Sequence, residues 1–260
     1  QIASEKAGII RPGVPVFYAG SSVESDSVIE KAAQKNRSFC KKIGKDAYEI
    51  LGIKDKHIAF SCSSAYYGNT TWELNNTGIY QPGNAMLAME VMRHLFGENA
   101  HTARWRKVLS GLKWAGRMEE VLPEVYVDGA HNISAVEAFI QSIPQDETGN
   151  MILFSAVKDK EYEKMAAVLC RDLRADLYVV THIDDSRGTG AERLGAVFRK
   201  YTEKPVVVKE SAREAFVWAL EHKDSRRLYC LGSLYLTGMI EELIQEVKSD
   251  AELRRGIKEV

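Results

Sequence analysis

The chain has 260 residues, 45% hydrophobic and 27% charged, with 35 Lys and Arg against 36 Asp and Glu for a net charge of −1. That length can bury one large core or two ordinary ones, and the charge balance excludes the electrostatic footprint of a nucleic-acid binder or a polybasic membrane anchor. No apolar run reaches bilayer-spanning length and the start lacks a signal-peptide pattern, so a cytoplasmic chain is expected.

In chain order, residues 1–8 read as a helix stopped by Gly8, followed by a Pro-Gly turn and a strand from Val14 to Tyr18. Ser25 to Ile43 carries Val28, Ile29, Ala32, Ala33, Phe39 and Ile43 at helical spacing and is expected to be one helix. "HIAFSCS" and "SAYYGNTTWELN" read as strands around a Gly-Asn turn, and "PGNAMLAMEVMRHLFG" as a helix with proline near its start and glycine past its end. From about residue 120 the rhythm becomes a clean alternation. Apolar runs "VYVD", "MILFS", "LYVVT", "PVVVK" and "LYCLG" are separated by helical patterns at 134–143, 160–173, 190–200 and 211–222, with a last helix from Tyr235. Such alternation predicts a doubly wound, mostly parallel sheet. The chain is therefore expected to divide into 1–112, the end of one α/β domain, and 113–260, a complete smaller one.

Cys40, Cys62, Cys170 and Cys230 are scattered, with no CxxC, and read as reduced, mostly buried thiols. The Asn-x-Ser/Thr matches at Asn69 and Asn132 then carry no meaning.

In an open parallel sheet, ligands sit beyond the carboxyl ends of the strands. There the second domain offers "DGAHN", "SAVKDK", "THIDDSRG", "KESARE" and "LGSLYLTG". In "VYVDGAHN", Asn132 or Ser134 could cap the following helix, with Asp128 favourable near its positive end. The same stretch could instead present a carboxylate to ribose hydroxyls and an imidazole, His131, to phosphate. In "LKWAGRME", Arg117 is either a solvated charge or a planar fork suited to phosphate. "GTGAERLG" fails as a dinucleotide fingerprint because Arg193 occupies the third glycine's place, and Gly44-Lys45 is followed by Asp46, so no phosphate-cradling loop is present.

Six stretches, "IASEKAGIIRPGVPV", "GIYQPGNAMLA", "WAGRME", "VYVDGAHN", "KDKEYEKM" and "LGSLYLTG", occur in an order that resembles the folylpolyglutamate synthase and dihydrofolate synthase family of the Mur ligase superfamily. The resemblance implies an α/β chain: the C-terminal portion of the ATP-binding domain at 1–112, then a Rossmann-like C-terminal domain at 113–260. The family's phosphate loop lies upstream, so Gln1 reads as a cut point in a longer protein, and the isolated chain is expected to be inactive.

The resemblance further implies ATP-dependent, Mg2+-assisted joining of L-glutamate to a folate or dihydropteroate, by a monomer. Lys6 would be carbamylated and ligate magnesium, its histidine partner lying upstream. Gln81 and Asn84 would lie near adenine, Arg117 would contact the nucleotide, and Asp128 would accept from its ribose. His131 would approach the terminal phosphate, and Lys158 and Ser233 would fix the glutamate carboxylates. Three positions depart from the family pattern: Tyr80 for a histidine, Ala115 for a proline, and Ile133 for a proline. The alternatives are a peptidoglycan-precursor ligase of the same superfamily and a nucleotide-binding domain without catalysis.

Overall fold

The computed structural model describes residues 2–68, 70–97, 101–144 and 146–258, with no side chain described at 65 or 247–258. Gln1 and Asn69, half of the expected Gly-Asn turn, lie outside the described residues. The backbone packs as two units, Gln1–Leu112 and Lys113–Val260.

The first unit holds a short helix α1 (Ile2–Ala7), then β1 (Val16–Ala19), α2 (Val23–Lys35) and β2 (Cys40–Ile43). β1 and β2 pair in parallel, Val16 opposite Cys40. The helix expected to run to Ile43 therefore stops eight residues early. Asn36 turns its side-chain amide back to donate to the Ala32 carbonyl at 2.8 Å, and Arg37 takes a left-handed φ of 52°. This local bond breaks the helix before Phe39 and Ile43.

β3 (Tyr48–Lys54), β4 (His57–Cys62) and β5 (Trp72–Leu74) form an antiparallel sheet in that order. Asp55 and Lys56, both at positive φ (49° and 64°), make the hairpin turn between β3 and β4. The strand expected across "SAYYGNTTWELN" is confined to β5, with a 3-10 turn at Ala65–Tyr67 before it. Two helices follow, α3 (Gln81–Phe96) and α4 (Thr102–Gly111).

A buried carboxylate ties these pieces together. Glu90 on α3, 6% exposed, accepts from Lys41 Nζ on β2 at 2.5 Å and from the Tyr67 hydroxyl at 3.0 Å. Burial first, then the Glu90 charge, pushes the Tyr67 phenol far above its ordinary range, so it stays a donor. Glu90→Ala leaves both partners without their acceptor and is expected to cost about 2 kcal/mol, read from the urea midpoint of the first unit. An unchanged midpoint would mean that the network adds nothing to stability.

The second unit is one six-stranded sheet of β6 (Glu119–Leu122), β7 (Val125–Val127), β8 (Asn150–Phe154), β9 (Leu177–Thr181), β10 (Val206–Lys209) and β11 (Arg227–Leu231). Its spatial order is β10-β9-β8-β11-β7-β6, parallel throughout except for the antiparallel edge strand β6. The connecting helices are α5 (Ile133–Gln141), α6 (Tyr162–Asp172), α7 (Ala191–Arg199) and α8 (Ala212–His222), and α9 (Leu234–Lys258) ends the described chain.

Strand alternation sorts two different cores onto the two faces. Val125, Val127, Met151, Leu153, Val179, Leu228 and Cys230 pack on Phe216 of α8 and on Leu236 and Ile240 of α9. Opposite them, Tyr229 stacks on Tyr126 and meets Phe139 of α5 edge-on, while Phe154 and Tyr178 pack on Phe198 of α7. At the amino ends of the strands, Arg227 forks onto Asp146 at 2.8 and 2.7 Å and donates to Glu124 at 3.1 Å.

The cysteines are free, but among them only Cys230 is fully buried; Cys40, Cys62 and Cys170 are half-buried, which corrects the expectation of mostly buried thiols. Burial pushes the Cys62 and Cys170 thiols up to about 11, which keeps them protonated at neutral pH. Among the described residues no helix is long and apolar enough to cross a membrane.

Candidate nucleotide and amino-acid site

β11 lies between β7 and β8, and its following helix packs on the opposite sheet face from the helix that follows β7. In open parallel sheets, ligands gather beyond the carboxyl ends of strands at such a reversal. The loops after β7, β8 and β11 meet there: Asp128–Asn132, Ser155–Lys160 and Gly232–Ser233.

Main-chain bonds stitch the loops together. The Asp128 N–H continues the ladder to the Cys230 carbonyl at 2.9 Å, and the Gly232 N–H donates to the Ala130 carbonyl at 2.9 Å. Gly129 donates to the Gly116 carbonyl at 2.8 Å, which fastens the turn ahead of β6 to the same edge.

Asp128, only 3% exposed, is the hub. Its Oδ2 accepts from the Met118 N–H at 2.9 Å and its Oδ1 from the Ala130 N–H at 2.8 Å. Met118 holds this bond at a left-handed φ of 45°, an unfavourable conformation for methionine that the surrounding bonds must maintain.

The Arg117 side chain donates to the Gly116 carbonyl at 3.3 Å and lies directly over Gly129. A Cβ at Gly129 would collide with the guanidinium and with Leu234, so glycine is what lets the arginine cross the strand end. His131 is half-buried, and its Nδ1 lies 2.7 Å from the Gly129 carbonyl. A carbonyl oxygen can only accept, so Nδ1 donates and Nε2 is the nitrogen available to a ligand. Of the two caps offered by the sequence, Asn132 takes the role: its Oδ1 accepts from the Ala135 N–H at 2.9 Å and starts α5.

On the neighbouring loops, Ser233 is 2% exposed, and its hydroxyl accepts from the Tyr235 N–H at 3.1 Å in the first turn of α9. Lys158 is exposed and donates from Nζ to the Ser186 carbonyl at 3.0 Å. The structure thus gathers Arg117, Asp128, His131, Lys158 and Ser233 on one edge of the second unit.

In the first unit, Gln81 is buried at the start of α3, and its Oε1 accepts from Asn84 Nδ2 at 3.0 Å. Asn84 is exposed, so the pair presents an amide held in a fixed orientation. Lys6 is exposed on the six-residue α1, and among the described residues no group of three His, Cys, Asp or Glu could hold a metal ion. Sequence reasoning passed over Met118 and Glu119, inside the quoted "WAGRME", because a positive φ and a backbone contact leave no mark on residue type.

Residues 116–233 match the family described as Mur ligase, glutamate ligase domain. The matched residues lie within the second unit, which is thus similar to the glutamate ligase domain of Mur ligases. Within that superfamily, the resemblance of the chain to folylpolyglutamate and dihydrofolate synthases is borne out by its relatives. The dihydrofolate synthase/folylpolyglutamate synthase of Bacillus subtilis is 32% identical over 176 residues, which cover 64% of this chain and 40% of that protein. Folylpolyglutamate synthase from Mycobacterium tuberculosis, solved with ADP and AMPPCP, shares the fold at a TM-score of 0.82 and 21% identity, over 94% of this chain and 59% of its own. Escherichia coli FolC, solved with DHPP and ADP, gives a TM-score of 0.71 at 21% identity, over 95% of this chain and 57% of its own. The chain spans between two fifths and three fifths of the length of these proteins.

Proposed function

We propose that this sequence is part of an ATP-dependent ligase that joins L-glutamate to the carboxylate of a folate or dihydropteroate. The observation that carries this reading is the convergence of Arg117, Asp128 and His131 on one edge of the second unit, with two residues suited to an amino-acid carboxylate, Lys158 and Ser233, on the adjoining loops. The family match over the same residues and the nucleotides bound to relatives support it.

In this reading, 1–112 is the C-terminal portion of the ATP-binding domain and 113–260 the ligase C-terminal domain. Gln81 and Asn84 face the adenine, Asp128 accepts from the ribose, Arg117 pairs with the nucleotide and His131 Nε2 faces the terminal phosphate. The acceptor carboxylate takes that phosphoryl group from ATP, giving an acyl phosphate and ADP. The amine of glutamate, held through its carboxylates by Lys158 and Ser233, attacks the acyl carbon, loses a proton and expels inorganic phosphate. These residues act by position and charge. No step is assigned to Lys6 or to magnesium.

The test is ADP release by a protein carrying this sequence extended to the length of its relatives, with L-glutamate and either tetrahydrofolate or dihydropteroate. Release that requires glutamate and one of the two acceptors is expected. Release only with a peptidoglycan precursor, or none at all, would overturn the reading. The 260-residue chain alone is expected to release no ADP in the same assay.

A further inference from the structure

The loop after β9, "THIDDSRG", has no part in the reading given above, yet it is fastened to the same edge on two sides. Toward β8, the Lys158 N–H donates to the Arg187 carbonyl at 2.7 Å and the Thr189 N–H to the Ala156 carbonyl at 2.9 Å, with Val157 and Gly188 bridged between them. Toward α9, the Arg187 guanidinium lies 4.9 Å from the centre of the Tyr235 ring, and its Nη2 donates to the Tyr235 hydroxyl. Tyr235 is tied in turn to Ser233, whose Oγ accepts from its N–H.

Within the loop, Asp185 Oδ1 accepts from the Arg187 N–H at 2.8 Å and from its Nε at 3.1 Å. The Gly188 N–H returns to the Asp185 carbonyl at 2.8 Å, and a Cβ there would lie 2.4 Å from the Ile183 carbonyl oxygen, so only glycine closes this turn. The guanidinium is thus held at Nε by Asp185 and on its face by Tyr235, although 57% of the side chain is exposed. A merely solvated arginine would keep the rotamer freedom that this one has given up. The rest of its fork, Nη1 included, has no partner among the described residues. Lys158 pairs with no carboxylate among them either; its Nζ donates to the Ser186 carbonyl of the same loop.

We propose that Arg187 binds the side-chain carboxylate of the incoming amino acid and so selects glutamate. Resting on the ligase reading given above, this subsite adds a third residue to Lys158 and Ser233.

Strand order decides which carboxylate Arg187 takes. Along the edge, the loops after β9, β8, β11 and β7 carry Arg187, Lys158, Ser233 and His131 in that order. In the ligase reading the attacking amine sits on the His131 side, where the phosphoryl group is transferred. The α-carboxylate beside it falls to Ser233 and Lys158, and the side chain runs on toward β9. Two methylenes and a carboxylate reach roughly 5 Å, about the spacing of one strand. Aspartate is one methylene too short for Arg187. Glutamine brings no charge to a guanidinium that pairs best with a carboxylate.

Two measurements test this. In the first, the 260-residue chain is titrated with L-glutamate, L-glutamine and L-aspartate, and NMR follows the Arg187 Nε–H and the Lys158 and Tyr235 amides. Glutamate is expected to shift all three signals and to bind about tenfold more tightly than either analogue, and Arg187→Ala to abolish that preference. In the second, steady-state kinetics use a protein extended to the length of its relatives. Arg187→Ala should raise the KM for glutamate about thirtyfold, the worth of one hydrogen-bonded charge, while the KM for ATP stays within about twofold. Arg187→Lys should recover part of the loss, and it replaces the alanine variant if that one fails to fold. Equal affinity of the native chain for glutamate and glutamine overturns the subsite. So does a variant that moves the KM for ATP as much as that for glutamate, because Arg187 would then only support the loop. Where the 260-residue chain binds none of the three amino acids, the kinetics decide alone. Glutamate-dependent ADP release with an unaltered KM in Arg187→Ala removes the subsite and leaves the ligase reading standing. Glutamate bound at Arg187 without any glutamate-dependent release removes the ligase reading and leaves the subsite, and neither binding nor release overturns both.

Discussion

Replacing His131 with alanine, in a protein extended to the length of its relatives, is expected to lower turnover about a hundredfold while the KM for ATP changes by less than about threefold. The geometry sets this asymmetry. The Gly129 carbonyl fixes the imidazole through Nδ1, which leaves Nε2 as its ligand-facing atom. A group aimed at a phosphate gains most where charge builds up during transfer, so its loss falls on turnover. In the proposed reading, Arg117 and Asp128 would still hold the rest of the nucleotide. Steady-state kinetics on purified protein check this, with ATP and glutamate varied separately. Unchanged turnover would remove His131 from the phosphate, and a large rise in KM alone would make it a binding residue.

Gly232→Ala is expected to destabilise the second unit by about 3 kcal/mol, seen as a lower urea midpoint for that unit. Gly232 sits at φ +104°, where side chains are strained, and a Cβ would collide with the Ser155 carbonyl oxygen and come within 2.6 Å of the Phe154 ring. The chain can escape only by moving the backbone that joins the Gly232 N–H to Ala130, so the loops after β7 and β11 would part. Gly190→Ala is the control. Its φ is −61° and nothing lies within 4 Å of its would-be Cβ, so a change within about 0.5 kcal/mol is expected. Equal effects at the two positions would show that crowding at Gly232 is relieved at little cost.

The second unit was legible because its strands are buried on both faces and read as continuous apolar runs, with helical spacing between them. The fold class follows from that pattern, and the carboxyl-edge loops follow from the rule that ligands gather beyond the strand ends. The edge strand β6 was missed, since Glu119–Leu122 is neither alternating nor apolar and exists through pairing with β7. In the first unit, apolar spacing continued across Asn36 and Arg37, and only a side-chain bond to the main chain ended the helix. β3 escaped for a related reason: most of its side chains are exposed, so burial wrote no period into its sequence. At the site, residue types pointed to Arg117, Asp128 and His131.

The position of β11 bears on how the second unit is born. Its spatial neighbours β7 and β8 are made early, but the strand that separates them is the last of the sheet to leave a ribosome. Until Arg227–Leu231 emerges, β7 and β8 each present an open edge to any passing strand, and the sheet has a gap at its centre. A nascent chain halted before that point would have most of its apolar surface made and nowhere to close it. The segment that completes the carboxyl-edge loops is thus also the one that closes the sheet.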